Sequence, residues 1–233
     1  MRRVKQIFGY FSLSEWLLWI VSTILIVVGF AVFDGRNGMA LAASLVGACS
    51  LIFCAKANPI GQALMVVFSI MYGVLSYQKA YYGEMITYLG MTLPIAVMSF
   101  VSWVRHPFRG NRSQVAVGKL RRSEPFLMAL ITMAVTVGFY FILRALNTAN
   151  LLPSTISVAT SLIAAYLTIR RSPYYALGYA ANDLVLIWLW ALAVAEDRGY
   201  VSVLICFVIF FFNDLYGFLS WKKIAKKQRV QLS

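Results

Sequence analysis

Two aspartates stand in strongly apolar surroundings, each directly after an asparagine: Asn182-Asp183 within NDLVLIWLW and Asn213-Asp214 within FFNDLYGFLSW. A carboxylate near the middle of a membrane helix costs roughly 2.5 to 3.5 kcal/mol on insertion scales, so two on neighbouring helices require a role beyond packing. At 100° per residue Tyr179, Asp183, Leu186 and Trp190 fall at i, i+4, i+7 and i+11, one stripe of one helix. Trp188 points about 160° away from Trp190, so both indoles line one cavity only where the helix is irregular. In the last apolar segment Asn213, Tyr216, Gly217 and Ser220 form a polar stripe with a small residue beside the tyrosine. Earlier segments carry Gln62, Ser69, Tyr72, Gly73 and Ser76 along one face, and Tyr88, Thr92 and Ser99 along another, where Pro94 opens the backbone.

These residue types bind rather than make bonds. Asparagine amides and tyrosine hydroxyls suit ligand hydroxyls and a carboxamide, while indoles stack on planar rings and attract positively charged ones. Polar faces from two groups of helices would enclose a neutral, hydrogen-bonding small molecule, and a nucleoside-like vitamin fits. The sequence carries no phosphate-binding loop, nucleophile elbow or metal-ligand cluster, so no catalytic residue, metal or cofactor is expected. Cys49, Cys54 and Cys206 read as small apolar filling, and His106 as an exposed loop residue. Ser69, Ser76, Thr92, Ser99 and Ser220 also suit helix packing, at about 0.6 kcal/mol per hydrogen bond. Trp16, Trp19, Trp103 and Trp221 lie at segment ends, where interfacial anchoring suffices.

The elements that must position these groups follow from composition. The chain of 233 residues is 61% hydrophobic and 12% charged, with a mean hydropathy of +0.76, far too apolar for an ordinary water-facing surface. It reads as an all-α integral membrane protein, with predicted spans at 16–33, 39–55, 58–79, 84–103, 126–146, 152–170, 173–195 and 199–221. The net charge of +13 does not indicate nucleic acid, because 17 of the 21 basic residues fall at one side of this topology. Arg36, Lys79, Arg144 and Arg198 fall on the other, with Asp34, Glu84, Glu196 and Asp197. The excess predicts both termini and the 104–125 loop on the cytoplasmic face of a bilayer.

The chain also repeats itself. Lys56-Ala57-Asn58-Pro59 opens a helix pair that closes at Trp103, and Arg171-Ser172-Pro173 opens another that closes at Trp221, with proline-to-tryptophan separations of 44 and 48. One polytopic domain results: an N-terminal helix (1–38), a three-helix unit (39–103), a loop and linking helix (104–151), a second unit (152–221) and a basic tail (222–233). The linking helix gives both units the same orientation, a 3+1+3 parallel repeat.

YGEM at 82–85, NDLVLIWLW at 182–190 and NDLYGFLSW at 213–221, followed by lysines, resemble the PnuC family of bacterial vitamin transporters over roughly residues 40–225. The resemblance implies a core like that of full-length SWEET transporters, homotrimeric assembly in the bacterial inner membrane, and facilitated diffusion of nicotinamide riboside for NAD synthesis. The family's ligand contacts, a WxxW pair and an asparagine of the last helix, map to Trp188 or Trp190 and to Asn213. Here the pair is Trp-Leu-Trp, with Ala191 and Ala193 following. Thiamine, riboflavin or a deoxynucleoside is an alternative cargo, a proton-coupled carrier an alternative mechanism, and a non-transporting sensor or assembly protein an alternative class. The expected ligand contacts are Trp188, Trp190, Asn213, Asn182, Asp183, Tyr216, Tyr72, Gln62 and Tyr88. Asp214, Gly217 and Tyr179 are expected to position or tune them.

Overall fold

The computed structural model describes residues 10–33, 38–78, 85–148, 150–196, 198 and 201–232. Eight helices are long and apolar enough to cross a membrane among these residues. They are α1 (Leu13–Phe33), α2 (Gly38–Ala55), α3 (Pro59–Gln78), α4 (Leu93–Arg105, entered through a π-helical segment Thr87–Thr92), α5 (Glu124–Ala145), α6 (Leu151–Ile169), α7 (Tyr175–Glu196) and α8 (Val201–Val230). Arg2, Arg3, Lys5, Asp34, Arg36, Lys79, Glu84 and Asp197, which enter the charge asymmetry, lie outside the described residues, as do Tyr82, Gly83 and Glu84 of the YGEM motif.

Six helices close a ring. α2 packs on α3, α3 on α4, α4 on α6, α6 on α7, α7 on α8, and α8 returns to α2. α1 lies outside this ring against α2 and α8, and α5 lies outside against α6. Few residues of α1 and α5 are buried, because their apolar side chains face outward in every direction but one, as suits a lipid surround.

The junctions between helices are built alike. Ala57 (φ 55°) closes α2 with the hydrogen bonds Asn58 N to Phe53 O and Ala57 N to Cys54 O. Arg171 (φ 56°) closes α6 with Ser172 N to Leu167 O and Arg171 N to Thr168 O. Both are Schellman closures, reached without glycine at a cost of about 1–2 kcal/mol each. Asn58 then caps α3 by accepting the Ile60 N–H at 3.0 Å, ahead of Pro59, whose missing N–H is harmless in a first turn. At the start of α1, Ser12 and Glu15 cap each other's backbone N–H groups, and Glu15 pairs with Lys56 at 3.0 Å. Pro94 is the second residue of α4, one past Leu93 and the end of the π-helical segment, whose wider turns relieve the clash between a proline ring and the preceding carbonyls.

Two expectations gain detail and a third is corrected. Within the otherwise all-helical fold, the 104–125 loop contains a short two-stranded hairpin, Pro107–Phe108 against Asn111–Val115. The basic 222–233 stretch is helical for most of its length, since α8 runs on to Val230 and buries Ala225 and Gln228. Trp103 and Trp221 are not interfacial anchors: both are fully buried, with ring centroids 5.2 Å apart. The Trp103 indole donates to the Thr168 carbonyl (2.9 Å), and that of Trp221 donates to the Cys54 carbonyl (2.7 Å). Each thereby binds the last turn of a helix in the opposite three-helix block.

A strap after the hairpin crosses this end of the bundle. Val115 donates to the Ala57 carbonyl and Gly118 to the Arg171 carbonyl, the two left-handed residues. Gln228 of α8 holds the strap from the other side, donating to the Val115 carbonyl at 3.0 Å and accepting the Val117 N–H at 2.9 Å. Gly118 is required there, because a Cβ would collide with the Arg170 carbonyl oxygen.

Candidate functional site

At the centre of the six-helix ring lies a cavity of about 80 Å³. That volume holds roughly five to eight waters, so a nucleoside-sized ligand enters only when lining side chains or helices move. Its polar lining brings together Gln62 of α3, Tyr88 of the π-helical segment, Tyr179, Asn182 and Asp183 of α7, and Asp214 of α8. Thr87, Thr92, Ser157 and Ser161 add hydroxyls, and Phe68, Phe207 and Phe210 supply aromatic wall. Tyr175 and Cys54 form the floor, with Trp103 and Trp221 packed beneath them in one apolar cluster.

Local structure sets each orientation. Asn182 is held by two hydroxyls of α6: its Oδ1 accepts from Ser157 Oγ (3.1 Å) and Thr160 Oγ1 (2.8 Å). Gln62 is buried and its Nε2 donates to Cys54 Sγ at 3.2 Å. Tyr88 packs on Tyr72 with centroids 4.3 Å apart, and the π-helical turn advances it into the wall. Asp183 and Asp214 lie within hydrogen-bonding reach of one another across the α7–α8 contact. Both are buried, and Asp183 Oδ2 is sealed from solvent without a hydrogen-bond partner.

Other candidates are placed elsewhere. Trp188 is 45% exposed on the outer face of α7 and lies apart from the cavity, as its angle to Asp183 requires. Trp190 shares the stripe of Asp183 but sits about 10 Å further along the axis, where it stacks on Phe207 (6.5 Å, 13° between planes). It thus backs the cavity wall without lining it. Asn213, one residue from Asp214, is turned 100° around the helix toward α1. Its Nδ2 donates to Ser22 Oγ (3.1 Å) and to the Ile209 carbonyl (2.9 Å). Tyr216 lies beside Ser12 and Glu15 at the start of α1, and Gly217 faces Ala176 and Ala55 with room for a Cβ in ordinary van der Waals contact. Tyr72 lines a smaller neighbouring cavity with Ser44 and Cys206.

Ser157 and Ser161 were not singled out from sequence. Their four-residue spacing on α6 is a usable signal, but serines at that spacing are common in membrane bundles. Phe207 and Phe210 stand in an unbroken run of apolar residues, where no pattern separates wall from lipid face.

Comparison with known proteins yields a consistent set. Residues 37–223 match the family described as nicotinamide mononucleotide transporter. The chain is 25% identical to the nicotinamide riboside transporter PnuC of Neisseria mucosa, over 97% of this chain and 88% of that protein. It is 22% identical to the nicotinamide riboside transporter PnuC of Haemophilus influenzae, over 97% of each. The crystal structure of a vitamin B3 transporter PnuC superposes with a TM-score of 0.80, at 22% identity and over 94% of each chain.

Proposed function

The chain belongs to the nicotinamide mononucleotide transporter family, the PnuC family, and we propose that its own cargo is nicotinamide riboside rather than the mononucleotide. The lining of the central cavity carries this reading. A phosphate is held in proteins by arginine, lysine or clustered backbone N–H groups. Among the described residues lining the cavity there is no lysine or arginine, and there are two carboxyls. The mononucleotide would bring its phosphate into a region of negative potential, whereas a riboside brings hydroxyls and a carboxamide to Gln62, Asn182 and the tyrosines.

The protein works by facilitated diffusion as a homotrimer in the bacterial inner membrane, with both termini and the strap in the cytoplasm. The three-helix units 39–103 and 152–221 are parallel repeats that rock against each other about the cavity. Trp103 and Trp221 packed beneath the floor close the strap end of the cavity, which supports a cycle in which the two units rock to open that end. No energy source is drawn on, so cargo moves down its own gradient.

The test is uptake of radiolabelled nicotinamide riboside into proteoliposomes of the purified chain. Entry that stops at equal concentrations on both sides, with no entry of the mononucleotide, is the expected result. Entry of thiamine or riboflavin in place of the riboside would overturn the cargo, and accumulation under an imposed pH gradient would overturn facilitated diffusion.

A further inference from the structure

Among the described residues lining the cavity, no lysine or arginine accompanies the Asp183–Asp214 pair. The ion pairs found among the described residues, Lys56–Glu15 and Arg170–Glu124, both lie at the strap end of the bundle. The pair lines the cavity, and Asp183 is only 4% exposed, with its Oδ2 unpartnered. Neighbouring donors are directed elsewhere: the Ser157 and Thr160 hydroxyls donate to Asn182 Oδ1, and Gln62 Nε2 donates to Cys54 Sγ. A buried acceptor left free costs about 1–3 kcal/mol, and even with one proton shared between the two carboxyls the pair keeps one net negative charge that a cation arriving in the cavity satisfies. The faces of Tyr88, Tyr179 and Phe207, which also line the cavity, add attraction for a cation spread over a flat ring.

We propose that Asp183 and Asp214 together read the charge of the cargo, admitting a ligand whose planar ring carries one delocalised positive charge over a neutral ring of the same outline. The proposal rests on the riboside reading and adds the ground on which the ring is chosen. Nicotinamide riboside has a pyridinium ring and is a cation. Its 1,4-dihydro form, with a hydride added at C4, has nearly the same outline and no charge. The carboxyls therefore act on selectivity, while the amides and hydroxyls serve both forms alike. No covalent step is involved.

Binding of nicotinamide riboside and of dihydronicotinamide riboside to the full chain in lipid nanodiscs, by calorimetry, tests this. The wild-type protein is expected to bind the cation at least about tenfold more tightly than the neutral form. Asp183→Asn and Asp214→Asn are each expected to weaken the cation about tenfold and the neutral form less than about threefold, so that the ratio collapses. Equal wild-type affinities for the two forms would overturn the proposal without any variant having to fold. So would a ratio unmoved by both substitutions, which would leave the pair a structural link between α7 and α8. Wild-type protein that binds neither form overturns the riboside reading itself and the proposal with it.

Discussion

Asp183 and Asp214 were legible as single residues because a carboxyl in an apolar run is costly, and both line the cavity. Their neighbours were harder to place. A step of one residue turns a side chain by 100°, so the same Asn-Asp dipeptide serves two different neighbours on α7 and on α8. On α7 the asparagine also lines the cavity, held by α6, whereas on α8 it ties the helix to α1 through Ser22. Only the surrounding helices decide which. Asn213→Ala is therefore expected to lower stability by about 1 kcal/mol, and Ser22→Ala to add little once that amide is gone, in a double-mutant cycle followed by thermal unfolding. An Asn213→Ala protein that keeps its melting temperature and loses its ligand would move the amide into the site. Trp190 shows the matching weakness of helical wheels: they give angle and ignore height, and seven residues carried the indole past the cavity to the back of Phe207.

The eight spans were legible at the level of elements because twenty apolar residues in a row admit few other structures. The parts that escaped are polar. Asn111–Val115 has no alternation to betray a strand, and it pairs only because Pro107–Phe108 turns back beside it. The Lys222–Arg229 stretch is charged nearly all round, yet it continues α8, since lysine, alanine and glutamine are good helix formers and Ala225 and Gln228 find burial. Gln228 makes two strap hydrogen bonds, so Gln228→Ala leaves the Val115 carbonyl and the Val117 amide without this partner. Hydrogen exchange of the peptide spanning 115–118 should accelerate by at least about tenfold, with the Val117 amide affected most. Unchanged protection would mean that the bonds to Ala57 and Arg171 hold the strap by themselves.

The count of helices and the pairing of the two helix junctions could be read from the chain as a whole, but the order around the ring could not. Periodicity says which face of a helix is polar and is silent on whether α4 sits beside α6 or α8 beside α2. The two indoles reveal the arrangement, each donating to the opposite three-helix block at equivalent carbonyls, those of Cys54 and Thr168. Opening at the strap end has to break both bonds. Trp103→Phe and Trp221→Phe are thus expected to have similar effects, costing about 1 kcal/mol each and exposing the floor of the cavity more often. With Cys49 and Cys206 replaced by alanine, maleimide labelling of Cys54 from the strap side should rise severalfold in both variants. A rise in only one would show that the halves do not open as equivalents.

The strap has a consequence for how the molecule is made. Val115 and Val117 are synthesised between the fourth and fifth spans, whereas Gln228 emerges only after the eighth. α8 is also the helix that closes the ring on α2. A nascent chain halted after seven spans therefore lacks a finished ring and the two Gln228 bonds, so its strap is held only through Ala57 and Arg171, and its polar α7 face stays open to lipid. Quality-control proteases that reach the strap end would meet the 115–118 segment less firmly held in such a chain than in a complete one, so a single glutamine helps to distinguish an unfinished translation product from a mature carrier.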